Sequence, residues 1–360
     1  MTRRAKPSTG RSLLVLRNVV LGLVVLTLAV TWWAFRSVRG EVDTALGATA
    51  PALLGIANAR TALAEAERSA TEAFASGRGP MTGPGERYRN QIALANQALT
   101  QVATDTVAGD EGRARLRTVE GLVIDYIGLI GQADARQDRA TDTVTPLTTA
   151  NLWYASGLLD DVQTRLAALG RSQRDVLEEQ TGPEPVLDVA PLVLSAALAV
   201  LLVLTQGRLR RRFRRQVNPA LVAATLLTLV VAGIGLLSLD ARRDLRVAAG
   251  TLESAVADHD AVVAGVGAHG DATLRDFLDR RCAATSCGTS VDRFRATTPD
   301  AGPEPDGPGA ARSSATATAA IANAGVGGWE PVLPLAAAGV FALVLLGFQP
   351  RLAEYRYEGR

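Results

Sequence analysis

The sequence predicts an all-α membrane protein: four transmembrane helices carry an extracytoplasmic antiparallel four-helix bundle and a second, smaller helical extracytoplasmic region. Three observations predict it. Four apolar runs, at 19–35, 187–205, 219–239 and 331–348, are each about 17–21 residues long, close to what a helix rising ~1.5 Å per residue needs to cross a hydrocarbon layer of ~30 Å. Between the second and third runs, 206–218 carries Arg208, Arg210, Arg211, Arg212, Arg214 and Arg215 with no acid. The long stretches 36–186 and 240–330 repeat apolar residues at three- and four-residue spacing, the mark of amphipathic helices.

Lys and Arg in short loops beside the spans sort to the cytoplasm, so the arginine loop belongs inside, and with it the N-terminus (1–18) and the tail (349–360). Residues 1–18 agree, with Arg3, Arg4, Lys6 and Arg11 ahead of the first run. The regions then left outside are acidic: 36–186 and 240–330 both carry more Asp and Glu than Arg. The near-neutral total of +2 therefore hides a basic interior and an acidic exterior. Run one lacks the small-x-small exit that signal-peptide cleavage requires, which predicts an uncleaved anchor. Trp32, Trp33 and Trp329 suit the interfacial aromatic belt.

Within 36–186, a first helix follows directly from run one, with Val42, Leu46, Leu53, Ile56, Leu63, Ala70 and Phe74 on its stripe and Pro51 as its one strong breaker. After a Gly/Pro cluster, Tyr88, Ile92, Ala95, Leu99 and Val102 mark a second helix. Leu116, Val119, Val123, Tyr126, Ile130 and Ala133 mark a third, and Leu147, Tyr154, Leu158, Val162, Leu166 and Leu169 a fourth, ending at Gly182-Pro183. Four such stripes bury one another most simply as a bundle. In 240–330, Leu245, Leu252, Val256, Val263, Val266, Leu274 and Leu278 extend run three as a helix, with a bend expected at Gly265, Gly267 and Gly270. A flexible Gly/Pro-rich loop at 299–308 and an Ala/Thr-rich return complete a helical hairpin.

The chemistry is sparse. Cys282 and Cys287, the two cysteines, predict a disulfide closing a tight loop in an oxidising compartment. His259 and His269 match no zinc spacing and are expected to be ordinary surface histidines. Lys6 is the single lysine, which excludes a Walker-A lysine, a kinase strand lysine and a lysine Schiff base. Neighbouring acids such as Asp160-Asp161 diverge by ~100° on a helix and are expected on solvated faces rather than as an acid–base dyad. The expectation is therefore no enzyme, no catalytic residue, no metal and no cofactor. The basic loop is short and lies between spans, where topology and anionic membrane lipid account for it, so nucleic acid is not an expected partner. Runs two to four hold no ionisable side chain in their apolar interiors, which argues against a transport path.

Residues 62–74, ALAEAERSATEAF, resemble the first helix of chemoreceptor-type four-helix-bundle sensors. With Tyr88, the segments 126–130 (YIGLI) and 154–159 (YASGLL), the tail 350–356 (PRLAEYR) and the four-span layout, the chain resembles the GlnX family. That resemblance implies a membrane partner standing between an extracytoplasmic amino-acid-binding lipoprotein, for glutamate or glutamine, and a cytosolic serine/threonine kinase. It implies a non-enzymatic transducer. Tyr126, Trp153 and Tyr154 are candidate outer contacts, since aromatic residues are enriched at interface hot spots, with core packing the commoner fate. The six loop arginines with Glu354, Tyr355 and Arg356 are candidate inner contacts, with a topology anchor the commoner role for the arginines. Two rivals stay open: a static scaffold organising an envelope complex, and a sensor that binds a solute itself. A homodimer is left open too.

Overall fold

The computed structural model describes residues 9–76, 84–105, 109–137, 146–181, 185–213, 219–282, 288–300 and 307–323, with positions 335, 338, 339, 342, 343 and 346. Among them the protein is all-α, without a strand. The helices are α1 (Thr9–Thr44), α2 (Ala50–Ala75), α3 (Pro84–Asp105), α4 (Gly109–Gln137), α5 (Pro146–Thr181), α6 (Pro185–Phe213), α7 (Pro219–Cys282), α8 (Thr289–Thr297) and α9 (Gly307–Asn323). A π-helical turn, Ala45–Thr49, separates α1 from α2. Pro51 explains it: proline lacks an N–H and its ring crowds the carbonyl four residues back, which a widened turn relieves.

The chain divides into two compact units. The first comprises Met1–Val42, Thr181–Arg246 and Ala324–Arg360, the second Asp43–Gln180 and Val247–Asn323.

In the first unit, Val20 and Val24 of α1, Leu198 and Leu202 of α6 and Ala224 of α7 form one apolar core, with Leu227 and Leu343 packed against it. All four apolar runs of the sequence thus contribute side chains to one cluster. Side chains pointing away from it are apolar as well: Val25, Leu26, Val193, Val200, Val203, Leu204, Leu226 and Leu229 are at least half exposed. The few polar groups serve themselves. Thr27, Thr205 and Thr228 donate their hydroxyls to the carbonyls of Leu23, Leu201 and Ala224, and Gln206 Nε2 donates to Thr225 Oγ1 at 2.9 Å. One segment, Val189–Gly207, is long and apolar enough among the described residues to cross a membrane. Asn18–Ala34 is a shorter apolar helix, and most of 331–348 lies outside the described residues.

In the second unit, helices α2 to α5 contribute Leu63, Phe74, Leu99, Val102, Leu116, Val123, Tyr126, Leu159 and Leu166 to a continuous core. Leu274, Phe277, Leu278 and Cys282 of α7 and Val291 of α8 belong to the same core. A smaller cluster joins Ala64 of α2 to Val262, Val263 and Val266 of α7 and Ala310 of α9. The alanine-rich face of α2 lets its neighbours come close: a Cβ on Gly55 would lie 2.7 Å from Val102 Cγ2 of α3.

Helix α7 stays helical through 265–270, and a Cβ at Gly270 would be in ordinary contact, 4.0 Å, with the backbone of Arg68. Two expectations are corrected. Helix α5 buries Leu152, Ala155, Leu159, Val162, Leu166 and Leu169, while Leu147 and Tyr154 are 59% and 66% exposed. The true stripe alternates three- and four-residue steps; the run of fours from Tyr154 through Leu158 to Val162 drifts off that face. His259 is buried rather than superficial, with Nδ1 2.9 Å from the Ala255 carbonyl and Nε2 3.2 Å from Asn58 Oδ1.

Candidate functional site

Four segments of the second unit surround a cavity of about 830 Å³. Helix α2 supplies Arg60, Ala64 and Glu67, a stripe at four- and three-residue spacing. Helix α5 supplies a longer stripe that includes Trp153, Ser156, Gly157, Asp160 and Gln163. From α7 come Val263, Ala264, Gly267, Ala268 and Asp271, small side chains that leave the space open and end in an acid. Phe294, Thr297, Thr298 and Pro299, in and just after α8, complete the lining.

That last wall is held by charge and by rings. Arg275 of α7 donates to the Thr298 carbonyl at 2.8 Å and to Asp300 at 2.7 Å, and Arg295 of α8 donates to Asp279 of α7. The Trp153 and Phe294 rings meet edge-to-face with centroids 4.9 Å apart, a favoured aromatic geometry.

The two ends of the cavity differ electrostatically. At one end Arg60 is neutralised. Its Nε donates to Gln163 Oε1 at 3.1 Å, its Nη1 donates to Asp260, and Gln163 Nε2 returns a bond to the Arg60 carbonyl at 2.8 Å. Arg174 adds a second cation 3.5 Å from Asp260.

Toward the other end stand Glu67, Asp160 and Asp271, and among the described residues none of them has a cationic partner. Burial pushes the Glu67 carboxyl up to about 8, against a lowering hydrogen bond from Ser156 and with added repulsion from Asp271 and Asp160. Glu67 is therefore mostly protonated at neutral pH. Burial also raises Asp271, with Asp160 adding to the effect. Tyr126, fully buried on α4 and within the field of Glu67, is held well above the ordinary phenol value by burial first and Glu67 second. Its hydroxyl has no hydrogen-bond partner among the described residues.

The expected site residues scatter. Tyr126 sits in the core, 6.4 Å from the Tyr88 ring, away from any surface. Trp153 lines the cavity and Tyr154 faces outward on the next position of α5. Cys282 is buried and is not a free thiol, whereas Cys287 lies outside the described residues. Arg208, Arg210, Arg211 and Arg212 fall on the last turns of α6, where the backbone alone is described. Arg214, Arg215, Glu354, Tyr355 and Arg356 lie outside the described residues.

Sequence reasoning missed Glu67, Asp271 and Arg60; Asp160 is exposed, as expected, and lines the cavity as well. One signal was available for Glu67: it falls between Leu63 and Ala70 on the buried stripe of α2, where a carboxyl is out of place unless the site uses it.

Residues 41–182 match the actinobacterial sensor domain. The chain thus carries a sensor domain of this kind, and the match runs from the end of α1 through α2, α3, α4 and α5. Glu67, Ser156 and Asp160 lie within the sensor domain; Asp271 and Phe294 lie beyond it. No curated protein and no solved structure matches the chain.

Proposed function

We propose that the chain is a non-enzymatic, four-span transmembrane signal transducer. Its helical sensor unit reads the state of an extracytoplasmic amino-acid-binding lipoprotein and relays it to a cytosolic serine/threonine kinase. The observation that carries this reading is the sensor-domain match over helices α2 to α5, flanked in sequence on both sides by apolar helix: Asn18–Ala34 before and Val189–Gly207 after. A sensor inserted between two apolar helices is the layout expected when a signal must cross a bilayer. The outward apolar side chains of the first unit support membrane insertion, since a soluble surface seldom exposes so many together.

In this reading the termini and the arginine loop are cytoplasmic, and the loop and tail meet the kinase. The acidic regions are extracytoplasmic, and Cys282 pairs with Cys287. The choice of glutamate or glutamine rests on the GlnX resemblance. Two experiments test the proposal. Reporter fusions should place 206–218 and 349–360 in the cytoplasm. Crosslinking of the full chain to its partners, with and without glutamine, should change together with phosphorylation of the kinase substrate. Fusions that put the arginine loop outside, or phosphorylation indifferent to deletion of the chain, would refute it.

A second reading, a sensor that binds a solute directly, is favoured by one observation. The cavity at Glu67, Asp160 and Asp271 has the size of a small-molecule site, which runs from ~300 to ~1,000 Å³.

A further inference from the structure

We infer that this cavity is a binding site for a small organic cation, an ammonium group on a short aliphatic stem, held by Glu67, Asp160 and Asp271 against the Trp153–Phe294 pair. The inference rests on the direct-sensor reading only in placing a solute inside the bundle; it goes on to name the solute's chemistry.

The charge pattern carries it. Several acids of the second unit have arginine partners: Asp260 has Arg60 and Arg174, Glu65 has Arg68, Asp161 has Arg165, and Asp279 has Arg295. Three carboxyls around one void are left without a cation, close enough that Asp160 and Asp271 both act on Glu67. Glu67 and Asp271 are desolvated, and such an acid without its counter-charge is costly unless it is protonated or a ligand supplies the charge; Asp160, exposed at the rim, adds its field.

The rest of the lining chooses the kind of cation. Among the described residues no three acid, histidine or cysteine side chains converge closely enough to hold a metal ion, so the charge is spread around a space rather than focused on a point. Ala64, Ala264, Gly267 and Ala268 offer an apolar wall suited to methylene groups. Trp153 and Phe294 line the cavity, and an aromatic face turned to it attracts an ammonium group. The single cation of the lining, Arg60, is already occupied by Asp260 and Gln163, which leaves little to attract a carboxylate.

Binding has a proton signature. An ammonium beside Glu67 favours its ionised form, so the proton held by Glu67 leaves as the cation arrives. The groups that face Glu67 are Ser156 and Asp160 on α5, Asp271 on α7 and Tyr126 on α4.

Calorimetry on the full chain in lipid nanodiscs tests this with 1,4-diaminobutane as the cationic probe, and glutamate and glutarate as the comparison. At pH 7, in two buffers of different ionisation enthalpy, saturable diamine binding should release close to one proton, since a carboxyl at about 8 is then mostly protonated. Glu67→Gln keeps the neutral shape of the side chain and its bond with Ser156, so it should fold. It should abolish the proton release and weaken binding at least about tenfold, and Asp271→Asn should weaken binding similarly. Absence of saturable diamine binding up to about 10 mM, or unchanged affinity in both variants, would overturn the assignment. Glutamate binding without diamine binding would overturn the cation class and leave the direct-sensor reading standing. Loss of kinase signalling with cavity binding intact would instead count against the transducer.

Discussion

Glu67 makes the second unit less stable as pH rises, an effect large enough to measure. Its carboxyl, ordinarily near 4.5, stands at about 8 in the folded protein. Between those values the folded chain holds a proton that the unfolded chain has lost. The extra stability is therefore complete below pH 4.5 and is lost progressively as pH rises through 8. At ~1.36 kcal/mol per pH unit the full effect is about 5 kcal/mol, of which about 2.5 kcal/mol disappears between pH 5 and pH 7. Because the cavity admits solvent these are upper bounds; Asp271, also raised, acts in the same direction. For a unit of this size, 2.5 kcal/mol corresponds to a fall of about 5–10 °C in Tm. The assay is thermal unfolding of the full chain in nanodiscs by near-ultraviolet circular dichroism at pH 5, 7 and 8.5, beside Glu67→Gln. The parent should lose stability along this series, and the variant should keep most of its Tm and overtake the parent at pH 8.5. A parent whose Tm rises with pH, or a variant falling in parallel with it, would refute the assignment of the proton to Glu67.

Two further outcomes follow from packing. Gly55→Ala places a methyl 2.7 Å from Val102 Cγ2 and should cost about 1–3 kcal/mol in thermal unfolding; adding Val102→Ala should restore part of that loss, and a neutral Gly55→Ala would contradict the close approach of α2 and α3. On α5, Leu159→Ala, at a fully buried position, should cost about 2–5 kcal/mol, while Leu147→Ala, at an exposed one, should stay within about 0.5 kcal/mol; equal effects would restore the stripe expected from the sequence.

The contrast between α4 and α5 shows how far periodicity carries. On α4 all six expected stripe residues, from Leu116 to Ala133, are buried, because that helix packs one face into the core. Helix α5 is flanked by α2, α4, α7 and α8, so apolar residues occur on several of its faces, and a stripe traced through Tyr154 and Leu158 joins two of them. The cavity was illegible for a different reason. Arg60 and Glu67, Asp160 and Asp271 come from three helices, and all but Glu67 look like ordinary surface charges within their own helix. What marks them is the pairing of charges in space, which a linear reading cannot count. His259 shows the same limit: its burial depends on Asn58 of α2 and Ser314 of α9, each reached by folding.

The boundary drawn by family similarity and the boundary drawn by the cavity do not coincide. The recognisable module ends at residue 182, yet two of the cavity's walls, at 263–271 and 294–299, are encoded after the arginine loop. An excised fragment that stops at 182 would carry Glu67 and Asp160 into an open trough lacking Asp271 and Phe294, and a negative result from it would say nothing about the intact chain. The same division gives evolution a convenient seam: relatives could keep the shared helices and retune chemical preference by altering the later insert alone.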